Sequence, residues 1–257
     1  MKTICIMNLK GGVGKTVTAV NMAAILAADH GKRVLLVDAD HQGNTSRFFK
    51  ADQDGDTLRE VLLGTQEPAW EDVIQHTGYE GLDILPAAIT LAELDFSAAQ
   101  NVGTGLYRLR EFLLAVAADE AYDYAIVDMP PAFSFAARAA LIAANEVIVP
   151  IKLDAFSVDG MAELLRQISS MRRINSGLRL GGVLITMWRH IDMVTQAEGI
   201  LRRSGVPVYK AVIRRTDRVD ESTFASEPLV IFSPRSAACL DYRAMIQEYL
   251  EGETRHG

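Results

Sequence analysis

The stretch Lys10-Gly11-Gly12-Val13-Gly14-Lys15-Thr16 packs three glycines and two lysines into its first six residues, two positions after an apolar run, Ile4-Cys5-Ile6-Met7. A glycine-rich turn between a strand and a helix is an anion cradle. Its backbone N–H groups converge on phosphate, and the helix N-terminus adds a partial positive charge. Gly11, Gly12 and Gly14 admit the close backbone approach and positive φ that such a turn needs. Lys15 is placed to reach β- and γ-phosphates, and the Thr16 hydroxyl to hold a magnesium ion. The common pattern G-x-x-x-x-G-K-[ST] requires glycine at position 9, where this chain has Leu9. Lys15 accounts for the cation that such a loop needs, which leaves Lys10 to be explained.

A phosphate loop also needs an acid to hold its metal, so the next apolar strands should end in carboxylates. Val34-Leu35-Leu36-Val37 runs into Asp38-Ala39-Asp40-His41-Gln42-Gly43-Asn44, and Tyr124-Ala125-Ile126-Val127 runs into Asp128-Met129-Pro130-Pro131. A carboxylate at the C-terminal end of a parallel strand lies on the rim where such sheets bind ligands.

Taken together, Lys10 to Thr16 resemble the deviant Walker A box of the ParA/MinD family of ATPases. Asp38 to Asn44 resemble that family's D-x-D-P-Q-G-N box, and Asp128 to Pro131 its D-x-P-P switch segment. The resemblance implies ATP and Mg2+ as cofactors. It also implies an ATP-dependent homodimer in which Lys10 crosses to the phosphates of the partner's nucleotide, as an arginine finger does. The expected catalytic residues are Lys10, Lys15 and Asp40, with Asp40 orienting the attacking water. Thr16, Asp40 and Asp128 are the expected metal site, with Asp128 acting through a water, and Asp38 supports the loop lysine. The nucleotide-contacting set is Lys10, Gly11, Gly12, Val13, Gly14, Lys15, Thr16, Val17 and Asp38, with Met187 as the place to look for adenine contacts. Three positions depart from the family: His41 stands for proline, Val17 for threonine and Lys152 for glutamine.

These loops must be carried by a regular scaffold. Short β-branched runs alternate with helical patterns along the chain, which predicts an α/β fold, a mostly parallel twisted β-sheet flanked by helices on both faces. The resemblance makes this a P-loop NTPase fold. Strands are expected at residues 3–7, 33–37, 82–85, 124–127, 146–149, 180–186 and 207–212. Helices are expected at 15–28, 105–118, 133–143, 158–174, 192–203 and 236–250. No linker or repeat divides the 257 residues, so one ATPase domain spanning 1–257 is expected. Thr57-Leu58-Arg59-Glu60 reads as a capping box opening a short helix.

The formal charge of −7 is unevenly distributed: residues 166–218 hold 11 Lys+Arg against 3 acids. A basic face toward DNA is therefore expected within 166–243. Ala211 to Glu221 resembles the I-P-R-N-x-R-x-x-E stretch of partition proteins, with Arg214 in place of its proline. The DNA-binding candidates are Arg189, Arg202, Arg203, Arg214, Arg215, Arg218 and Arg235. Contacts of this kind go to phosphates, so binding to double-stranded DNA should be non-specific and salt-sensitive.

The reading is a ParA-like ATPase that segregates or positions a plasmid, chromosome or other cargo, with a ParB-like or other adaptor stimulating hydrolysis. A cytoplasmic, nucleoid-associated location follows. Nothing upstream of the first strand is expected to house a helix-turn-helix domain. Residues 247–257 are mixed and slightly acidic, which disfavours the basic membrane helix of MinD. An ATP-dependent metabolic enzyme of the dethiobiotin synthetase type is the main alternative, and Lys10 and the basic segment argue against it. Cys5 and Cys239 make neither a disulfide framework nor a metal spacing. Asp52, Asp54 and Asp56 lack the glycine and glutamate of a calcium loop, and Asn44-Thr45-Ser46 matches a glycosylation sequon without consequence in a cytoplasmic protein.

Overall fold

The computed structural model describes residues 1–64, 69–97, 105–154 and 157–256. Its strands are β1 (Lys2–Ile6), β2 (Val34–Asp38), β3 (Gln75–Tyr79), β4 (Leu82–Leu85), β5 (Tyr124–Asp128), β6 (Glu146–Lys152), β7 (Arg179–Trp188) and β8 (Val208–Arg214). The helices are α1 (Lys15–His30), α2 (Asn44–Phe48), α3 (Leu58–Leu63), α4 (Trp70–Val73), α5 (Glu93–Ser97) and α6 (Arg108–Ala118). They continue with α7 (Phe135–Ala143), α8 (Ser157–Met171), α9 (Asp192–Arg203), α10 (Asp217–Ala225), α11 (Leu229–Phe232) and α12 (Ala237–His256).

The eight strands form one sheet in the order β3-β4-β2-β5-β1-β6-β7-β8. All neighbours run parallel except β3, which pairs antiparallel with β4. Successive side chains of a strand point to opposite faces, and this divides each apolar run between two cores. Cys5, Leu35, Val37, Ala125, Val127 and Val149 pack on one face beneath α3, α6, α7 and α8. Ile4, Ile6, Leu36, Ile126, Ile148 and Leu184 pack on the other beneath α1, α11 and α12. Burial on both faces is why these strands read as continuous apolar runs rather than alternating ones.

On the second face, buried polar contacts tie the helices together. Thr18 and the Tyr242 hydroxyl lie 3.0 Å apart, joining α1 to α12. The Asn21 side chain accepts from Leu229 N at 2.8 Å and donates to Val17 O at 2.8 Å, fixing the start of α11 against α1. The capping box at Thr57 is formed in both directions and opens α3 as expected.

β3 escaped the sequence reading. Gln-His-Thr-Gly-Tyr is polar and half-exposed, and it joins the sheet as an edge through the tight turn at Gly81, whose φ is 73°. β6 and β7 run further than the apolar pattern alone implied. Their extra residues end beside the loop that follows β1, where Pro150, Thr186 and Met187 become part of the site. Among the described residues, no helix is long and apolar enough to cross a membrane.

Leu36 is fully buried in a central strand. Leu36→Ala should lower unfolding free energy by about 2–5 kcal/mol, from lost burial plus the cavity left behind. Equilibrium denaturation of the two proteins checks this.

Candidate functional site

The loop after β1 is held from three sides before any ligand arrives. Asn8 Nδ2 donates to Pro150 O of β6 at 2.7 Å, and Asn8 Oδ1 accepts from Lys10 N at 3.0 Å. Thr186 Oγ1 of β7 donates to Val13 O at 2.8 Å. Gly12 and Gly14 take φ values of 69° and 86°, a region that costs any residue with a Cβ.

Gly14 caps α1 with no side-chain hydrogen bond, and the first turn carries no acid. The leading N–H groups of α1 therefore have neither a capping side chain nor a neighbouring carboxylate to satisfy them, which leaves them available to an anion. Lys15, only 8% exposed, donates from Nζ to Lys10 O at 3.0 Å. Burial lowers its pKa, while the charges of Asp128 and Asp40 oppose that shift.

Opposite the loop stand the acids. Asp38 and Asp128 are register partners at the ends of β2 and β5, 0% and 1% exposed. Burial raises both carboxyl pKa values, and for Asp38 the charge of Asp128 adds to the rise. Hydroxyl and amide donors act the other way. Asp128 Oδ2 accepts from Thr16 Oγ1 at 2.7 Å and from Thr45 Oγ1 at 2.6 Å. Asp38 Oδ2 accepts from Ser46 Oγ at 2.7 Å and Ser46 N at 2.8 Å, and its Oδ1 from Asp40 N at 3.2 Å.

Asp40 is 9% exposed, and its Oδ1 accepts from Gln42 N at 3.0 Å. His41 Nδ1 lies 3.7 Å from the same oxygen, on a turn closed by Gly43 N donating to Asp40 O at 2.8 Å. The turn that a proline usually shapes is thus built here from hydrogen bonds.

No hydrogen bond joins Asp38 to Lys15 among the described residues. Asp38 instead holds Ser46 and the Asp40 backbone, because its carboxylate turns toward α2 rather than toward the loop. Asp128 Oδ1, by contrast, is buried and has no partner among the described residues. An orphaned carboxylate oxygen beside Thr16 and Asp40 forms the all-oxygen donor set that a small hard cation such as magnesium takes.

Lys10 bonds none of these acids and pairs through Nζ with Asp154, just beyond the end of β6. Both side chains are partly exposed, and such pairs are worth about 0–1 kcal/mol, so Lys10 can leave cheaply. Asp154 carried no signal in the sequence. Met187, at φ 51°, lines a cavity of about 50 Å3 together with Gly14, Val17, Arg215, Thr216 and Val219. That cavity abuts the start of α1, and Thr216 and Val219, which the sequence reading did not name, line it as well.

The arginines divide into two groups. Arg214 is the register partner of Trp188, and Arg215 N donates to Trp188 O at 2.9 Å, so both stand with Arg189 at the C-terminal ends of β7 and β8. Arg202 and Arg203 lie at the far end of α9, a helix about 18 Å long, and Arg202 binds the Tyr209 and Lys210 carbonyls. Three charges are already engaged: Arg202 by Glu198, Arg214 by Asp241 in a forked contact, and Arg218 by Glu221. Arg189, Arg203, Arg215 and Arg235 form no ion pair among the described residues and are exposed.

With this geometry in view, comparison with known proteins is specific. A family model described as an AAA domain matches residues 1–180. The chain is 34% identical over 258 residues to the chromosome partitioning protein ParA of Caulobacter vibrioides, spanning 98% of this chain and 95% of that one. It is 34% identical over 256 residues to the sporulation initiation inhibitor protein Soj of Bacillus subtilis, spanning 96% and 97%. A crystal structure of cobyrinic acid a,c-diamide synthase from Mycobacterium smegmatis, with bound ATP analogue and magnesium, is similar at TM-score 0.84 and 29% identity, covering 100% of this chain and 97% of that one. A phosphate loop with two lysines, two strand-end acids and near full-length likeness to ParA and Soj thus agree, and the chain belongs to the ParA/MinD-type P-loop ATPases.

Proposed function

We propose that this protein is a positioning ATPase in which ATP and magnesium bound at the β1–α1 loop join two copies, and that the pair holds DNA without regard to sequence. The whole chain acts as one ATPase domain. A cargo-bound adaptor, ParB-like in character, stimulates hydrolysis and releases the pair from the nucleoid. ATP in this cycle is a switch, because the γ-phosphate stabilises one assembly state rather than driving a substrate reaction.

The observation that carries the reading is the placement of the two lysines. Lys15 already lies in the cradle, with its amine against the Lys10 carbonyl. Lys10 is turned outward to Asp154 at the rim. An outward cation on a weak surface pair is available to a nucleotide on a second copy, where it meets charge developing in phosphoryl transfer.

Within one copy, the open N–H groups at the start of α1 bind the phosphates and Lys15 neutralises them. Thr16, Asp40 and Asp128 would hold magnesium, which would supply positive charge against the phosphates. Asp40 orients the attacking water from a loop that Asp38 and Gln42 pin in place. The adenine ring, too large for the small cavity that Met187 lines, would rest over its mouth against Met187, Thr216 and Val219.

On the DNA side, the exposed unpaired arginines Arg189, Arg203, Arg215 and Arg235 carry the phosphate contacts. Arg202, Arg214 and Arg218 contribute less, since each already faces a carboxylate. The likeness to cobyrinic acid a,c-diamide synthase supports a second reading, an ATP-dependent ligase-type enzyme. Hydrolysis measured with and without DNA separates the two: DNA-stimulated turnover supports the positioning ATPase, and turnover indifferent to DNA selects the enzyme.

Lys10→Ala should retain ATP binding while losing ATP-dependent retention on DNA, measured by nucleotide fluorescence and by DNA-coated biosensor. Unchanged retention refutes the trans role. In a salt titration of DNA binding, Arg189→Ala and Arg215→Ala should each flatten the log–log slope by about 1. Arg214→Ala should leave the slope near wild type, because Asp241 already engages that charge.

A further inference from the structure

Helix α2 places two consecutive hydroxyls on two different buried acids. Thr45 Oγ1 donates to Asp128 Oδ2 at 2.6 Å, while Ser46 Oγ donates to Asp38 Oδ2 at 2.7 Å. Neighbouring helix positions diverge by about 100°, and here that divergence spans the gap between β2 and β5, whose terminal acids are register partners. Both hydroxyl residues are fully buried.

We propose that Thr45 is a positioning residue for magnesium: together with Thr16 it clamps Asp128 by Oδ2, so that Oδ1 is the oxygen presented to the ion. This rests on the nucleotide reading above and adds a residue to it.

Geometry supports the assignment. The last torsion of an aspartate side chain is broad and nearly two-fold, so a carboxylate held by one hydrogen bond can turn and exchange its oxygens. Thr16 supplies only one such bond, from the first turn of α1. Thr45 supplies a second from another element, and its branched side chain is stiff about χ1. Two donors on Oδ2 fix the plane of the group. The remaining oxygen, Oδ1, is the buried atom without a partner.

Thr45 also links the ion to the hydrolysis loop. α2 begins immediately after Gly43, whose N–H closes the turn on Asp40, and Ser46 on the same helix grips Asp38, which in turn accepts from Asp40 N. A shift of α2 therefore moves the hold on Asp128 and the position of Asp40 together.

The test is a magnesium titration of fluorescent non-hydrolysable ATP-analogue binding, with apo thermal midpoints confirming that each variant folds. Residues that orient a metal ligand typically contribute 10–100-fold to metal affinity, so Thr45→Val should raise the magnesium half-saturation by about tenfold or more. Thr45→Ser keeps the donor and should stay close to wild type. Thr45→Ala, a smaller replacement, should match Thr45→Val and serves in its place if that variant does not fold. A folded Thr45→Val or Thr45→Ala with wild-type half-saturation overturns the proposal, as does a Thr45→Ser displaced as far as either. A wild-type protein that binds the analogue no better than Lys15→Ala overturns the nucleotide reading itself, a result distinct from failure at Thr45.

Discussion

Two carboxylates, Asp38 and Asp128, end adjacent parallel strands in register, with essentially no solvent at either. Adjacent strands are about 4.8 Å apart, and like charges at that spacing in a buried environment repel strongly. Much of the site can be understood as compensation for this crowding. Ser46 and the Asp40 backbone satisfy one acid, Thr16 and Thr45 satisfy the other, and Lys15 adds a positive charge from the loop. Within this pair of acids, Asp128 Oδ1 is left without a partner among the described residues. On the proposed reading, a divalent ion held there would supply the missing counter-charge, so that affinity for magnesium–nucleotide would be partly relief of a repulsion already present in the fold.

The scaffold makes that arrangement rigid. Central strands buried on both faces give β1, β2 and β5 little freedom to shift relative to one another, since any movement opens space in two cores at once. The phosphate loop inherits the same rigidity through Asn8, Pro150, Thr186 and Val13. Lys10 is the exception. Its amine is held by a partly exposed pair rather than by packing, so the loop is stiff along its backbone and loose at this side chain.

How much of this was legible in the chain depended on whether the signal was local. The glycine loop, the strand-end acids and the apolar runs are patterns within a few residues, and the structure forms β1, β2, β4 to β8 and the major helices close to where those patterns placed them. β3 was missed because an exposed polar edge strand has no apolar run to betray it. Thr45 and Ser46 were in plain sight as part of a sequon. Their role depends on β5 lying beside β2 in the sheet, and that order is not readable from the linear pattern. Lys10 with Asp154, and Arg214 with Asp241, are pairings across 144 and 27 positions, so charge counting could see the cations without seeing what engages them. The basic segment therefore read as one surface, whereas the fold sets Arg189 and the Arg202–Arg203 pair at opposite ends of α9 and gives Arg166, Arg179, Arg202, Arg214 and Arg218 carboxylate partners.

The central claim is that bound nucleotide, through Lys10, makes two copies into one particle. Sedimentation velocity of the purified protein with magnesium, with and without a non-hydrolysable ATP analogue, addresses it directly. The account predicts a single-copy species without nucleotide and a two-copy species with it. A protein that binds the analogue fully yet sediments as a single copy at every concentration contradicts it.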